Sequence, residues 1–220
     1  RATLESSGQW GAVRVIPEKA IADVIVDGTI LSSTGARLVL RINVADSMGR
    51  VWIKDKEYSG EADLGSYKTE AALQVRDPFQ NVYSEIANDM LAARQALAAT
   101  DRRDIHRVTG LRFANDFAPE AVKGYLATDP QGMTNVVRLP AEGDPVMTRI
   151  ARIRERDLAV IDTVDSYYAN FSDKVESSYG NFRRVSQQEI EKEDRARASA
   201  RTRTVLGAAA VLASVLVPDQ

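Results

Sequence analysis

Leu38-Val39-Leu40-Arg41-Ile42-Asn43-Val44 decides the fold. In an extended chain Leu38, Leu40, Ile42 and Val44 point to one side while Arg41 and Asn43 point to the other. That is the alternation a strand with one buried face requires. Upstream, Ser33-Thr34-Gly35 reads as a turn. Before it Asp23 to Leu31 reads as a second strand, with Val24, Val26 and Ile30 alternating against Ile25, Asp27 and Thr29. Downstream, Asp46-Ser47-Met48-Gly49 is another turn, with Gly49 free to take a positive φ, and Val51 to Tyr58 is the return strand. Consecutive strands joined by short turns make an antiparallel meander. Trp10 to Ile16 is expected to add one more strand, ended by Pro17.

An apolar row on a sheet must be covered. Asp77-Pro78 supplies the start of a covering helix: Asp77 as cap, Pro78 at the first helical position and Gln80 where a capping box places an amide or acid. Phe79, Val82, Tyr83, Ile86, Met90 and Leu97 follow at helical spacing.

Beyond Thr100 the pattern is helical. Asp101 to Phe117 reads as one helix and Pro119 to Leu126 as a shorter one; Asp129-Pro130-Gln131-Gly132 then breaks the pattern, ahead of an extended Val136 to Leu139. Asp144-Pro145 repeats the cap-and-proline start. Met147, Ile150, Ile153, Leu158, Ile161, Val164, Tyr168 and Phe171 then hold helical spacing for about seven turns. A helix that long needs a partner, and Ser186 to Val217 is the candidate, set off by a bend at Ser177-Ser178-Tyr179-Gly180. The fold class expected is therefore α+β: a small antiparallel sheet with its helix over residues 1–97, then a long-helix region over 98–220.

With 29 basic and 31 acidic side chains the net charge is only −2, which gives no electrostatic footprint for nucleic acid. The chain has no cysteine, which excludes disulfides, thiolate metal sites and cysteine nucleophiles within it. A single histidine, His106, removes multi-histidine zinc sets, and between Asp104 and Arg107 it reads as a surface or half-buried side chain. Asp157, Asp162 and Asp165, interleaved with Arg152, Arg154 and Arg156, read as a solvated helix face rather than an acid–base pair. The serine turns lack the lysine and spacing of a phosphate loop. No catalytic or metal-binding residue and no cofactor is expected.

Two features point to contacts. Tyr167, Tyr168, Phe171, Tyr179 and Phe182 fit either a binding surface or, more plainly, the seam between two helices at the bend. Val205 to Val217 is apolar for 13 residues behind Arg195, Arg197, Arg201 and Arg203. This is short of the roughly 20 that cross a bilayer. Val205, Leu206, Val211, Leu212, Val215 and Leu216 are the candidate contact residues of this tail. Its possible roles are an interfacial anchor, an oligomerisation helix, the start of a longer segment, or burial within the same chain.

The run Ala22-Asp23-Val24-Ile25-Val26-Asp27-Gly28-Thr29-Ile30, the strand Leu38 to Ala45 and the turn Asp46-Ser47-Met48-Gly49-Arg50-Val51-Trp52 resemble a known pattern. It is the small α/β domain at the amino terminus of TolB and in CsgG-like lipoproteins of the bacterial envelope. Leu4-Glu5-Ser6-Ser7-Gly8 is similar to the end of that family's first helix, closed by a glycine. The resemblance covers about residues 1–97. It implies a periplasmic, outer-membrane-associated protein held by a lipid on a cysteine upstream of Arg1, working as a structural or accessory subunit and as a homo-oligomer among other envelope proteins. A periplasmic module that binds a small hydrophobic or glycan ligand is the alternative.

Overall fold

In the computed structural model, residues 1–16, 20–68 and 77–215 are described, with side-chain surroundings given as far as residue 201. The alternating row around Ile42 is the middle strand of a meander: β1 (Val24–Ser33), β2 (Arg37–Asp46) and β3 (Val51–Glu61), antiparallel in the order β1-β2-β3. Leu38, Ile42 and Val44 are buried, and Leu40 packs against the same cluster. Their cover is helix α2 (Gln80–Ala96), which lays Val82, Ile86 and Met90 on Ile53 and Tyr58 of β3 and on the β2 row. Gly60 permits this close seating, since a Cβ there would stand 2.6 Å from a Val82 methyl.

Local chemistry sets the details. Asp77 Oδ1 accepts from the Phe79 amide at 2.7 Å, and α2 begins after that turn. The capping box expected of Gln80 is not formed; its amide donates instead to Thr3 Oγ1 and Ser84 Oγ. Thr3 belongs to α1 (Ala2–Ser6), closed by Gly8 at φ 63°, the left-handed position glycine takes without strain. Between β2 and β3 the register shifts near Val44. There Asp55 adopts φ 45°, held by paired hydrogen bonds with the Asn43 amide; aspartate tolerates this region better than most residues.

Trp10 to Ile16 is not a strand. Its polar groups are spent on helix carboxylates rather than on a ladder: the Val15 amide donates to Asp165 at 2.9 Å and the Arg14 guanidinium pairs with Asp162. Trp10 packs on Trp52 and lies under Arg94.

Helix α3 (Ala99–Phe117) follows α2 directly. The short helix expected over Pro119 to Leu126 is replaced by turns. A hairpin of β4 (Leu126–Thr128) and β5 (Thr134–Val136) then stands where only Val136 to Leu139 was expected to extend. Its loop is the Asp129 to Gly132 break: Asp129 Oδ1 accepts from Gln131 and Met133, and Gly132 sits at φ 86°. The hairpin leans on the β2–β3 turn through Thr134 N to Met48 O at 2.7 Å. Ser47 Oγ donates to the Ile105 carbonyl, and Met48, Ile105 and Val108 form a shared cluster. Contacts thus cross the residue-97 boundary.

Ser186 to Val217 is no separate partner helix. Pro145–Val215 is one uninterrupted helix, α4, of 71 residues, about 105 Å at 1.5 Å per residue. Asp144 starts it by accepting from the Val146 and Met147 amides. The helix runs unbroken through Ser177 to Gly180, because a single mid-helix glycine costs only about 1 kcal/mol against alanine and Arg183 and Ser186 fasten the turn that follows it.

One ion pair in the sheet domain titrates. Asp89 on α2 accepts from Lys56 and, at 2.6 Å, from the Tyr58 hydroxyl, and these bonds hold its carboxyl below the ordinary aspartate range. A depressed carboxyl contributes stability above its unfolded pKa of about 4 and loses it as pH falls through the folded value. Asp89→Asn is therefore expected to lower the urea midpoint at pH 7 and to converge on the parent below about pH 3; an equal deficit at both pH values would remove the carboxylate from the account.

Candidate interaction surface

Among the described residues, helix α4 is held to the rest of the molecule along one face. At its start Ile150 packs into the cluster of Leu111, Phe113, Ala114 and Val122, and Arg154 lies over the Phe113 ring. In the middle, buried Asp165 accepts from Arg1 at 2.9 Å as well as from the Val15 amide. The Arg14 guanidinium holds the Asp162 carboxyl below its ordinary value. Of the three helix aspartates, Asp157 and Asp162 are exposed as a solvated face requires, whereas Asp165 is buried, and Asp162 and Asp165 together fasten the amino-terminal segment to the helix.

A third fastening uses the β1–β2 turn. Gly35 lies against the α4 backbone so closely that a Cβ would be 2.1 Å from the Arg183 carbonyl oxygen. Its amide donates to Ser186 Oγ, and its carbonyl accepts from Tyr67 at 2.7 Å. Burial pushes the Tyr67 hydroxyl up to about 12. Arg183 is buried, donates to Asp77 Oδ2 at 3.0 Å, and lies on the rings of Phe79 and Tyr179. Burial opposes its charge, and Asp77 with Tyr179 more than restores it, so the guanidinium is held above the ordinary arginine value. Asp77 therefore serves two elements, turning the chain into α2 and anchoring α4.

Between these fastenings, from Ser166 to Tyr179, every residue except Ala169 is exposed. The aromatic group expected to fill an interhelical seam is in water: Tyr167, Phe171 and Phe182 are 70%, 64% and 60% exposed, and Tyr168 and Tyr179 are exposed as well. Val160, Val175 and Val185 are exposed on the same side. On a 3.6-residue period Val160, Val164, Tyr167, Phe171, Val175, Phe182 and Val185 fall within one narrow stripe. The body-facing residues Ile161, Asp165, Arg183 and Gln187 lie about 80–160° further round the axis. The spacing 164, 167, 171, 175 carried this stripe in the sequence, hidden by the assumption that the next helix would cover it.

Around and past Glu191 a ladder of charged pairs runs along the helix. Glu189–Lys192, Glu191–Arg195 and Glu193–Arg197 bridge successive turns, each contributing about 0.3–0.5 kcal/mol to a solvated helix. Val205, Leu206, Val211, Leu212 and Val215 lie on the backbone of α4 beyond this ladder; Leu216 lies outside the described residues. Among the described residues no helix is long and apolar enough to cross a membrane.

Two further places bear on function. β1 is an edge strand whose Ile25, Val26, Ile30 and Leu31 are exposed, blunted by Asp27, Gly28 and a register shift at Leu31. A cleft of about 440 Å³ opens between β1, α3 and the hairpin, lined by Ile25, Arg112, Asn115, Asp116, Thr128 and Thr134. His106 is exposed and 3.0 Å from Asp23. Among the described residues no group of three or more His, Asp or Glu is placed to hold a metal. No protein-family model, no curated protein and no solved structure matches this chain.

Proposed function

We propose that this protein is a non-enzymatic structural or accessory subunit of a bacterial cell-envelope assembly, periplasmic and outer-membrane-associated, acting through contacts with other envelope proteins and with itself. The observation that carries the reading is the exposed aromatic and valine stripe on α4. A contiguous apolar patch of this size on a soluble surface marks an interaction site. The glycine-turn and strand pattern of residues 22–52 supports the envelope setting by its resemblance to TolB-amino-terminal and CsgG-like domains. The apolar stretch 205–217 suits a contact with a membrane surface or a neighbouring subunit.

The test is fractionation of cells producing the protein from its natural reading frame, combined with crosslinking in place. Sedimentation with the envelope and recovery of envelope-protein adducts are expected. A wholly soluble cytosolic protein without adducts contradicts the proposal.

A second reading is supported by the cleft beside β1, where Arg112, Asn115, Thr128 and Thr134 face Ile25 and Leu126. Polar groups converging on an apolar wall suit a small glycan or hydrophobic ligand. A saturable rise in melting temperature with such a ligand favours that reading.

A further inference from the structure

We infer that the α4 stripe is the seat of a second copy of this chain, the two long helices packing antiparallel about a two-fold axis at Phe171. This rests on the reading of the protein as an interaction subunit and specifies one of its contacts.

Area comes first. The three aromatic side chains of the stripe, Tyr167, Phe171 and Phe182, at their exposed fractions, carry roughly 300–500 Å² between them, taking about 150–250 Å² for each. With Val160, Val175 and Val185 the patch reaches about the apolar share, a little over half, of the ~800 Å² per partner that a standard stable interface buries. Among the described residues the body lies on another side of the helix, which leaves the stripe open to a second helix.

Shape and charge then choose the direction. A two-fold at Phe171 sets each residue opposite the one equally far on the other side. Val160 meets Phe182 of the second copy and Tyr167 meets Val175, so these rings face small side chains at helix-packing distance, and Phe171 alone meets its own copy at the axis. The exposed Arg149 and Arg152 at one end of the stripe lie opposite the stretch holding exposed Glu189 and Glu193. A parallel pair in register would set ring on ring and Arg149, Arg152 and Arg156 against their own copies, which is repulsive. A two-fold contact is self-complementary and closes at two subunits. It also sends the two 205–217 ends in opposite directions, their nearer limits roughly 100 Å apart.

The test uses the full chain. Sedimentation equilibrium is expected to give twice the 24.1 kDa of one chain. Phe171→Asp, in which one change acts twice at the axis, is expected to weaken the dimer at least about 100-fold. Because Phe171 is exposed, the melting temperature of the monomeric variant serves as the folding control. The absence of native cysteine makes orientation readable: a mixture of Val160→Cys and Phe182→Cys chains is expected to oxidise to the 160–182 heterodimer. Homodimers at 160 and 182 alone, a Phe171→Asp chain that still dimerises, or a monomer at about 100 µM each overturn the inference. A monomer that still forms envelope adducts removes this contact and leaves the proposed function standing.

Discussion

Gly35→Ala is expected to destabilise the protein by about 3 kcal/mol, the upper part of the range for overpacking a closed contact. The added methyl meets backbone on two sides, the Arg183 carbonyl and the Gln187 amide, and backbone inside a helix cannot swing away as a side-chain tip does. Helix α4 must lift there. Lifting it breaks the Gly35–Ser186 hydrogen bond and draws Arg183 off Asp77 and Phe79. Gly11→Ala is the matched control: nothing lies within 4 Å of its Cβ position, so a change within about 0.5 kcal/mol is expected. Urea unfolding of both variants measures the difference, and proteolysis near residue 183 in the Gly35 variant alone locates it. Equal stabilities would mean that the turn and the helix do not meet.

Phe79→Ala is expected to cost about 3–5 kcal/mol, the range for removing a fully buried aromatic ring. Phe79 is 0% exposed and belongs to the cluster joining β2, β3 and α2, while its other face carries Arg183 from α4. Its loss opens a cavity in the sheet core and also strips a buried guanidinium of a neighbour. The denaturant midpoint should fall with an unchanged slope if the chain unfolds in one step. A loss below about 1 kcal/mol would show that the ring is not the joint between the two parts.

The meander was legible because its signal is local. Alternation at Leu38 to Val44, and turns rich in glycine, serine and aspartate, decide register within a few residues. Asp77-Pro78 and Asp144-Pro145 announced α2 and α4 for the same reason. The failures are tertiary. Trp10 to Ile16 has strand composition, yet Arg14 and Val15 find helix carboxylates some 150 residues away. The β4–β5 hairpin has strands of only three residues, too short to show a period, and is stabilised by its seat on Met48. The bend placed at Gly180 failed because glycine's helix penalty is small beside the contacts of Arg183, Ser186 and Gln187. As for the surface, the aromatic residues of α4 were visible from the start, but their exposure follows from the length of the helix: because Ser186 onward continues the same rod, it does not fold back to cover them.

This places the weight of the account on how α4 meets a second copy, and an intermolecular distance reads that directly. A single nitroxide at Gln188→Cys, an exposed position clear of the stripe's aromatic side chains, lies 17 residues from the inferred axis. Antiparallel pairing predicts an electron–electron distance near 50 Å, from about 1.5 Å of rise per residue on each side of the axis. Distances of roughly 10–20 Å would require parallel helices, and the lack of any intermolecular coupling would leave the stripe of Phe171 unoccupied by this chain; either result contradicts the account.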